Sequence, residues 1–323
     1  MERVGRKRMM LFSGSANPEL AQEVADLLGV RLSGVELSEF PDSEIYVRFT
    51  ESVRGCDCFV IQSHSRPVNF HLMEQLLMVD ALKRASAKLI TAVVPYFGYA
   101  RQDKKVMPRE PISARLMADL FTAAGADRIV SVDLHAGQIQ GFFSEPFDHL
   151  TAIPLFVDYI SHEVEGPITV VSPDTGRVKV AEKYARHLDA PIAFVHKLRP
   201  SDRHGVSEAR EVVGEVQGRH TVIVDDMITT AGTVANAAEM LRERGAQTVT
   251  VVATHGVLSP PAVDRLKNAP IEEVVISNTL PVPEEARDLD KLTVLSVGPI
   301  VAEALQAIFM ESSVSELFLG ENF

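Results

Sequence analysis

The sequence has few cysteines, no long hydrophobic run and no excess of positive charge. Its two cysteines, Cys56 and Cys58, are too few and too close together for a disulfide framework or a structural zinc site. We interpret them as strand residues and expect a reducing, cytoplasmic setting. The apolar stretch at residues 9–12 is too short for a signal-peptide core, and no run approaches the ~20 residues of a membrane span.

The charge balance also excludes classes of partner. The chain has 32 Lys+Arg against 44 Asp+Glu, a net charge of −12, whereas non-specific binding to nucleic acid or anionic membranes needs a basic surface. A local basic pocket stays compatible with this balance. The 323 residues, 46% of them hydrophobic, are enough for two globular domains or one large one.

Apolar β-branched runs alternate with segments of helical period along the whole chain. In the first half, apolar runs end at Ile61, span 89–95 and span 128–132, and the helical segments are 70–84 and 112–124. The second half repeats the alternation at 168–171, 178–188, 192–195, 221–224, 233–244 and 248–252. This pattern predicts the α/β class, with parallel sheets covered by helices on both faces.

The two halves are similar at a fixed offset of 160 residues. Residues 21–25 match 181–185, residues 40–42 match 200–202, and the strand start at Lys88 matches that at Thr248. The unchanged offset favours an internal duplication over chance similarity of α/β patterns. We therefore expect two domains, 1–150 and 151–323.

Residues 221–233 carry the sharpest chemical signal: an apolar strand, two carboxylates, a turn of small hydroxylated residues and a helix. A helix N-terminus with backbone N–H groups and threonine hydroxyls favours the binding of a phosphate. The alternative, an N-cap at a turn from strand to helix, would explain Thr229 or Thr230 alone but not the whole string. The carboxylates would repel that phosphate unless they bind sugar hydroxyls or Mg²⁺. The candidate binding residues are Asp225, Asp226, Thr229, Thr230, Ala231, Gly232 and Thr233.

This string resembles the phosphoribosyl-binding loop of type I phosphoribosyltransferases, in which two acids hold the ribose 2- and 3-hydroxyls and the loop holds the 5-phosphate. Other segments narrow the resemblance to the ribose-phosphate pyrophosphokinases, also called phosphoribosyl pyrophosphate synthetases. They are residues 12–17, 40–44, 99–105, 109–112, 132–136 and 313–318.

The resemblance implies two duplicated phosphoribosyltransferase-like domains, each a mainly parallel sheet flanked by helices. It implies transfer of the β,γ-diphosphoryl group of ATP to the 1-hydroxyl of ribose 5-phosphate, with release of AMP. Residues 1–150 would serve ATP and assembly, and residues 151–323 would bind ribose 5-phosphate. The ATP contacts implied are Phe40, Asp42, Glu44, Arg101 and Gln102.

The resemblance also implies Mg²⁺ as cofactor, with His135 and Asp174 as ligands, although magnesium prefers oxygen to imidazole. Lys197 and Arg199 follow a predicted strand and would point to the same side of it if the extended geometry persists. By resemblance they stabilise the migrating diphosphoryl group, Lys197 as the catalytic residue and Arg199 as a helper that also reaches the sugar phosphate.

Four features depart from the family pattern. Ala231 stands where glycine is usual and is expected to avoid a left-handed backbone, which would strain it. Arg177 and Ser43 also replace usual glycines, and residues 200–209 differ from the common flexible loop. Arg177 could add a phosphate contact or crowd the diphosphate loop.

The first-half counterpart of the phosphate loop, residues 62–69, lacks the paired acids, the glycine and the threonine run. We therefore expect one sugar-phosphate site, between the halves and completed by a neighbouring subunit. The resemblance implies a homohexamer with phosphate and ADP as effectors near residues 313–318, and it leaves open whether ADP inhibits. A phosphoribosyltransferase and a catalytically silent regulatory subunit stay as alternative interpretations.

Overall fold

The computed structural model describes residues 7–198 and 209–318, which form two compact units. Unit 1 comprises the chain up to Thr151 together with residues 279–281 and the segment from Ser296 onward. Unit 2 comprises residues 152–278 and 282–295. Within the described residues, no helix is both long enough and apolar enough to cross a lipid bilayer.

Unit 1 is built on a five-stranded parallel sheet of order β1-β4-β5-β6-β7. A separate antiparallel hairpin, β2-β3, lies between its first two strands in sequence. The strands are β1 Met9–Ser13, β2 Val35–Glu39, β3 Ile45–Phe49, β4 Asp57–Ile61, β5 Leu89–Val94, β6 Arg128–Val132 and β7 Phe147–Leu150. The helices are α1 Pro18–Leu27, α2 Val68–Arg84, α3 Ser113–Ala124 and the C-terminal α8 Gly298–Met310.

Unit 2 is built on a seven-stranded sheet of order β10-β9-β8-β11-β12-β13-β14. All neighbouring pairs in it are parallel except β9-β10. The strands are β8 Ile168–Ser172, β9 Ile192–Leu198, β10 Ala209–Val213, β11 His220–Ile228, β12 Thr248–Gly256, β13 Glu273–Ser277 and β14 Leu292–Leu295. The helices are α4 Ile153–Glu163, α5 Val178–His187, α6 Gly232–Glu243 and α7 Ala262–Asn268.

The central strands of both sheets are buried along almost their whole length because helices cover both of their faces. All five residues of β4 are buried, and so are eight of the nine residues of β12. Local sequence sets where the helices begin and end. The Asn17 side chain accepts from the Leu20 N–H at the start of α1, where Pro18 is the first residue, and Gly125 ends α3 in a left-handed conformation.

The order of elements confirms the duplicated α/β fold. In each copy a strand, a helix, an antiparallel hairpin and a second strand are followed by two helix-strand repeats, a final strand and a terminal helix. The sheet order β1-β4-β5-β6-β7 of the first copy returns as β8-β11-β12-β13-β14 in the second. The predicted 160-residue offset holds for α1 and α5, which begin at Pro18 and Val178, and falls to 145 between β7 and β14.

The helix that ends each copy belongs to the opposite unit. Helix α8, which ends the second copy, packs against α1 in unit 1, while α4, which ends the first copy, packs against α5 in unit 2. Gly298 opens α8 beside Glu23 of α1, and a Cβ there would lie 2.5 Å from the Glu23 carboxyl carbon. This arrangement differs from the sequence-based division, which gives all of 151–323 to the second domain, because sequence pattern does not show which helix covers α1.

A substitution in α8 tests this packing. Leu305 is fully buried, and truncating it to alanine should cost about 2–5 kcal/mol through lost burial and the cavity left behind. We expect Leu305→Ala to lower the midpoint of thermal unfolding by several degrees. Met310→Ala, on an exposed residue of the same helix, serves as the control and should leave the midpoint nearly unchanged. Equal midpoints for the two variants would contradict the assigned packing.

Candidate active site

The two predicted sugar-binding acids lie in strand β11, beyond the end of its neighbour. Strand β11 runs to Ile228, four residues further than the sequence pattern predicts. It pairs with β8 only as far as Ile223 but continues along β12. Asp225 and Asp226 therefore lie where β8 has already ended, at the carboxyl edge of the sheet, where ligands of α/β folds bind.

Arg177 fills the space beside these acids. Its Nη2 lies 2.7 Å from Asp226 Oδ1 and its Nε lies 3.5 Å from Asp225 Oδ1. The three side chains are 15%, 7% and 16% exposed, respectively, so the charges are screened little by water. Arg177 is therefore neither a free phosphate contact nor a crowding residue in this structure. It compensates the charge of the acid pair.

The acid pair carries an unfavourable charge of its own. Burial, together with the neighbouring carboxylate of Asp226, raises the pKa of Asp225 well above its ordinary value, and Arg177 opposes that rise. The Asp226 N–H donates to Asp225 Oδ1 over 2.9 Å. A buried like-charged pair of this kind is typical of functional sites, where groups are held in states that stability alone would not select.

The phosphate loop, residues 229–233, links β11 to α6. Thr229 is half-buried and Thr230 is exposed, and α6 begins at Gly232. Ala231 has φ 58° and ψ 4°, so it adopts the left-handed conformation that we expected it to avoid. The expectation is wrong because the sharp turn from strand to helix requires a positive φ at this position. The left-handed conformation of an alanine costs about 1–2 kcal/mol.

The corresponding loop of the first copy is filled by its own side chains. Gln62 lies five residues beyond the start of β4, as Asp225 lies five beyond the start of β11. Its Oε1 accepts from the Ala16 N–H over 3.0 Å, and its Nε2 donates to the buried carboxylate of Glu74 over 2.5 Å. Glu74 also accepts from the Ser15 N–H over 2.8 Å. A protein carboxylate thus takes a backbone donor of the neighbouring loop between β1 and α1.

His64 forms a second buried polar cluster in unit 1. It is fully buried, and burial lowers its pKa to about 4, so the ring is neutral at physiological pH. The Gly98 N–H donates to its Nδ1 over 2.9 Å, which leaves Nε2 to donate to Gln75 Oε1 over 3.0 Å. The loop of the first copy is therefore a structural polar core.

Asp174, a predicted magnesium ligand, lies in the loop between β8 and α5. Its Oδ1 accepts from the Gly176 N–H over 2.8 Å, and its carbonyl accepts from the Ser172 hydroxyl over 2.6 Å. One of these bonds thus orients the half-buried carboxylate and the other fixes the backbone of the turn.

His135, the other predicted ligand, follows β6 in unit 1 and is half-buried. The described residues include no group of three or more His, Cys, Asp or Glu side chains placed to hold a metal ion. A magnesium site with one or two protein ligands fits this donor set, because Mg²⁺ usually keeps several waters and binds substrate phosphates. The carboxylate of Asp174 suits the ion better than the imidazole of His135.

The predicted adenine contacts lie at the tip of the β2-β3 hairpin. Phe40 is 49% exposed and packs edge-on against Tyr46, with ring centroids 5.9 Å apart. The Glu44 N–H donates to Asp42 Oδ1 over 3.3 Å. Ser43 has φ 72°, which explains why glycine is usual there. Exposed aromatic and acidic side chains at a fixed turn can stack on a purine and accept from its amino group.

Arg101 and Gln102 lie in the loop between β5 and α3. Both are exposed, and the Gln102 Oε1 accepts from the Ser113 hydroxyl over 2.6 Å. The loop is a defined turn, because Glu110 accepts from the N–H groups of Val106 and Met107, both over 2.8 Å. Its basic side chains are therefore displayed on a structured scaffold.

Lys197 lies in strand β9, where its backbone pairs with Arg210 of β10. The sequence pattern ends this strand at Val195, and the structure extends it to Leu198. Arg199 and the unusual segment from 200 onward, up to residue 208, lie outside the described residues.

Sequence reasoning missed two functional features of unit 2. Arg177 was noted as a departure, but its pairing with the acids depends on a loop meeting a strand more than forty residues away. Arg265 of α7 donates to the Thr230 carbonyl over 3.0 Å and carried no motif signal. The sequence offers one indication of the Arg265 contact: a basic residue in the segment after β12, the strand that neighbours β11.

The volume of a surface cavity does not identify the candidate site. A cavity of about 510 Å³ beside α7 is lined by apolar and charged side chains, including Leu258, Val263, Lys267 and Leu289. None of the residues that line it belongs to the predicted site. The candidate site is recognised by its chemistry instead.

Comparison with known proteins decides the family. The N-terminal domain of ribose phosphate pyrophosphokinase matches residues 9–125, and the phosphoribosyl synthetase-associated domain matches residues 208–319. The chain is 56% identical over 315 residues to the ribose-phosphate pyrophosphokinase of Streptomyces avermitilis, covering 97% of both chains. This chain belongs to the ribose-phosphate pyrophosphokinase family.

Other members of the ribose-phosphate pyrophosphokinase family agree with this assignment. The Bifidobacterium longum relative is 55% identical, with 97% of this chain and 93% of the relative covered. The crystal structure of phosphoribosylpyrophosphate synthetase from Mycobacterium smegmatis matches with a TM-score of 0.90 at 53% identity, covering 95% of this chain and 100% of that chain. The resemblance and the fold predicted from the sequence are thus confirmed.

The raised pKa of Asp225 predicts a cost in stability. An acid with a raised folded pKa binds its proton more tightly when folded, so its ionised form opposes folding at neutral pH and this penalty disappears as pH falls. Asp225→Asn should therefore raise the thermal midpoint at pH 7 by roughly 2–4 °C for each kcal/mol relieved. The gain should shrink toward pH 4.

Glu239→Gln, on an exposed acid of α6, is the matched control for Asp225→Asn and should give no gain at either pH. Scanning calorimetry of ligand-free protein at both pH values makes the measurement. A midpoint for Asp225→Asn that falls at pH 7 would show that the ionised carboxylate stabilises the fold, contrary to our assignment.

Proposed function

We propose that this chain is a ribose-phosphate diphosphokinase, which transfers the β,γ-diphosphoryl group of ATP to the 1-hydroxyl of ribose 5-phosphate and releases AMP. The observation that carries the proposal is the acid pair beside the phosphate loop of unit 2, in a chain related to ribose-phosphate pyrophosphokinases over 97% of its length. The hydrogen bonds that occupy its counterpart in unit 1 support a single sugar-phosphate site, in the second copy.

Unit 2 binds ribose 5-phosphate in this proposal. Asp225 and Asp226 accept hydrogen bonds from the two ribose hydroxyls, and the positive charge of Arg177 offsets the repulsion between the two carboxyl groups. The 5-phosphate lies against residues 229–233, where the first turn of α6 offers N–H groups without helical partners. Arg199 is assigned to the sugar phosphate as well.

Unit 1 binds ATP through Phe40, Asp42, Glu44, Arg101 and Gln102. The exposed ring of Phe40 offers a face for the adenine, and Arg101 can fork onto phosphate oxygens in a way that lysine cannot. These side chains also argue against a phosphoribosyltransferase, which has no use for an ATP clamp.

The reaction needs two polyanions held together and the charge at an in-line phosphorus neutralised, without a covalent intermediate. Lys197 supplies charge to the migrating diphosphoryl group, and Arg199 assists. Asp174 and His135 are the residues proposed to hold Mg²⁺. When bound, Mg²⁺ neutralises phosphate charge and orients the diphosphoryl group.

The proposal includes a homo-oligomer, a hexamer by family, with phosphate and ADP as effectors. An exposed apolar stripe on α3 supports self-association: Ile112, Leu116 and Leu120 are spaced four residues apart and are 37%, 52% and 36% exposed. A cytoplasmic location is part of the same proposal. It is supported by the two cysteines being free rather than joined in a disulfide.

An assay of AMP release tests the activity. Purified protein with ATP, Mg²⁺ and ribose 5-phosphate should form AMP and phosphoribosyl pyrophosphate in equal amounts, and omitting any component should stop the reaction. Replacement of ribose 5-phosphate by ribose is the control for the phosphate loop. Failure to form AMP across a range of phosphate and metal concentrations would refute the proposal and favour a silent subunit.

A lysine substitution tests the assigned chemistry. Lys197→Ala should lower kcat by about 10²-fold or more and change KM for either substrate by less than about threefold, because its charge acts mainly in the transition state. Lys179→Ala, on an exposed lysine of α5, is the control and should retain the parent rate. An unchanged kcat for Lys197→Ala would remove this residue from the mechanism.

A further inference from the structure

A short segment of unit 2, residues 258–265, supports the phosphate loop from behind, and we call it the loop support. It donates hydrogen bonds to three consecutive carbonyls that lead into the loop. These bonds run from Leu258 N to Ile228 O (3.0 Å), from Ser259 N to Thr229 O (2.8 Å) and from Arg265 Nη1 to Thr230 O (3.0 Å). Three neighbouring peptides are thus oriented by one segment.

Only the last of these bonds depends on a side chain. The first two continue the backbone pairing of β11 with β12 beyond the partner residues Ile228 and Gly256. The chain then turns away into α7, so no backbone N–H of the loop support is bonded to the third carbonyl. Arg265, on α7, reaches back to it.

The third peptide is the one most inclined to turn over. Rotation of the peptide between Thr230 and Ala231 by about 180° would carry φ of Ala231 from 58° into the negative range that alanine prefers. The left-handed conformation costs about 1–2 kcal/mol, so the loop gains by relaxing unless something holds the Thr230 carbonyl. The bond from Arg265 opposes this relaxation.

The orientation of this peptide decides what the loop offers to an anion. In a trans peptide the C=O and the following N–H point in opposite directions. A Thr230 carbonyl held against Arg265 therefore directs the Ala231 N–H away from Arg265. A reversed peptide would present a carbonyl oxygen in its place and repel a phosphate.

We propose that Arg265 is a positioning residue for the phosphate loop: it locks the peptide between Thr230 and Ala231 so that the N–H serves the 5-phosphate. This inference rests on the proposed function of the loop. The absence of a side chain at Gly232 makes room for the guanidinium, since a Cβ there would lie 3.1 Å from Arg265 Nη1. The same placement adds a positive charge beside the loop.

The test compares Arg265→Met and Arg265→Lys with Lys267→Met. Lys267 is an exposed cation on the same helix, two residues further on, so its variant controls for lost surface charge. We expect Arg265→Met to weaken ribose 5-phosphate about tenfold in calorimetric titration and in KM. The KM for ATP, the affinity for ribose and kcat at saturation should stay within about twofold. Arg265→Lys should lose less, because an ammonium can donate to the same carbonyl.

A second variant separates positioning from a general structural role. Ala231→Gly removes the strain that drives the peptide to turn over, so Arg265→Met should cost clearly less in an Ala231→Gly background than in the parent. Purely electrostatic attraction by Arg265 would give the same loss in both backgrounds. Equal losses, a loss shared with ATP, or an affinity within twofold of Lys267→Met would each overturn the proposal.

The outcomes for the inference and for the function are distinguishable. Absence of AMP formation by the parent protein would refute the proposed reaction. Calorimetric titration with ribose 5-phosphate and with inorganic phosphate would still measure whether Arg265 governs anion binding at the loop. An active parent together with an unaffected Arg265→Met variant would refute the inference alone.

Discussion

The contact of Arg177 with Asp225 and Asp226 is the interaction on which the candidate site depends. Two carboxylates in one buried place repel each other, and a single guanidinium held between them makes the arrangement tolerable. The same arginine follows the turn of Asp174, so the loop after β8 and the acid pair of β11 are connected through one residue. Charge compensation therefore also sets the relative placement of two loops.

The loop that follows the second parallel strand differs between the two copies. In the second copy the turn after β11 leaves backbone donors at a helix N-terminus and acids at the strand end. In the first copy Gln62 replaces an acid, and Glu74 from the following helix accepts from the facing loop. These buried hydrogen bonds are internal to the first copy.

Much of the architecture could be predicted from the sequence because its strongest signals are local. Strand β6 has the predicted bounds, and helices α2 and α3 differ from prediction by two residues or fewer at either end. Buried strands and helices can be recognised because their hydrophobic residues follow a regular spacing along the sequence. The hairpin tip at Phe40 could be assigned a role only by resemblance. Its strands are half exposed and carry weak apolar alternation.

The features that sequence could not supply depend on distant partners. The conformation of Ala231 is set by a turn whose carbonyls are held by residues about thirty positions later. The pairing of Arg177 and the network around His64 likewise join separate segments. For Lys197 and Arg199 the roles are assigned by resemblance alone, and the assignment of ATP to the first unit has the same basis.

The exchange of terminal helices has a consequence for how the protein is made. Helix α1 is synthesised long before the helix that packs on it, which is residues 298–310. Unit 1 therefore cannot complete its packing until that later helix has been synthesised. At usual rates of translation, about 5–20 residues per second, the apolar face of α1 waits for on the order of 15 seconds or more.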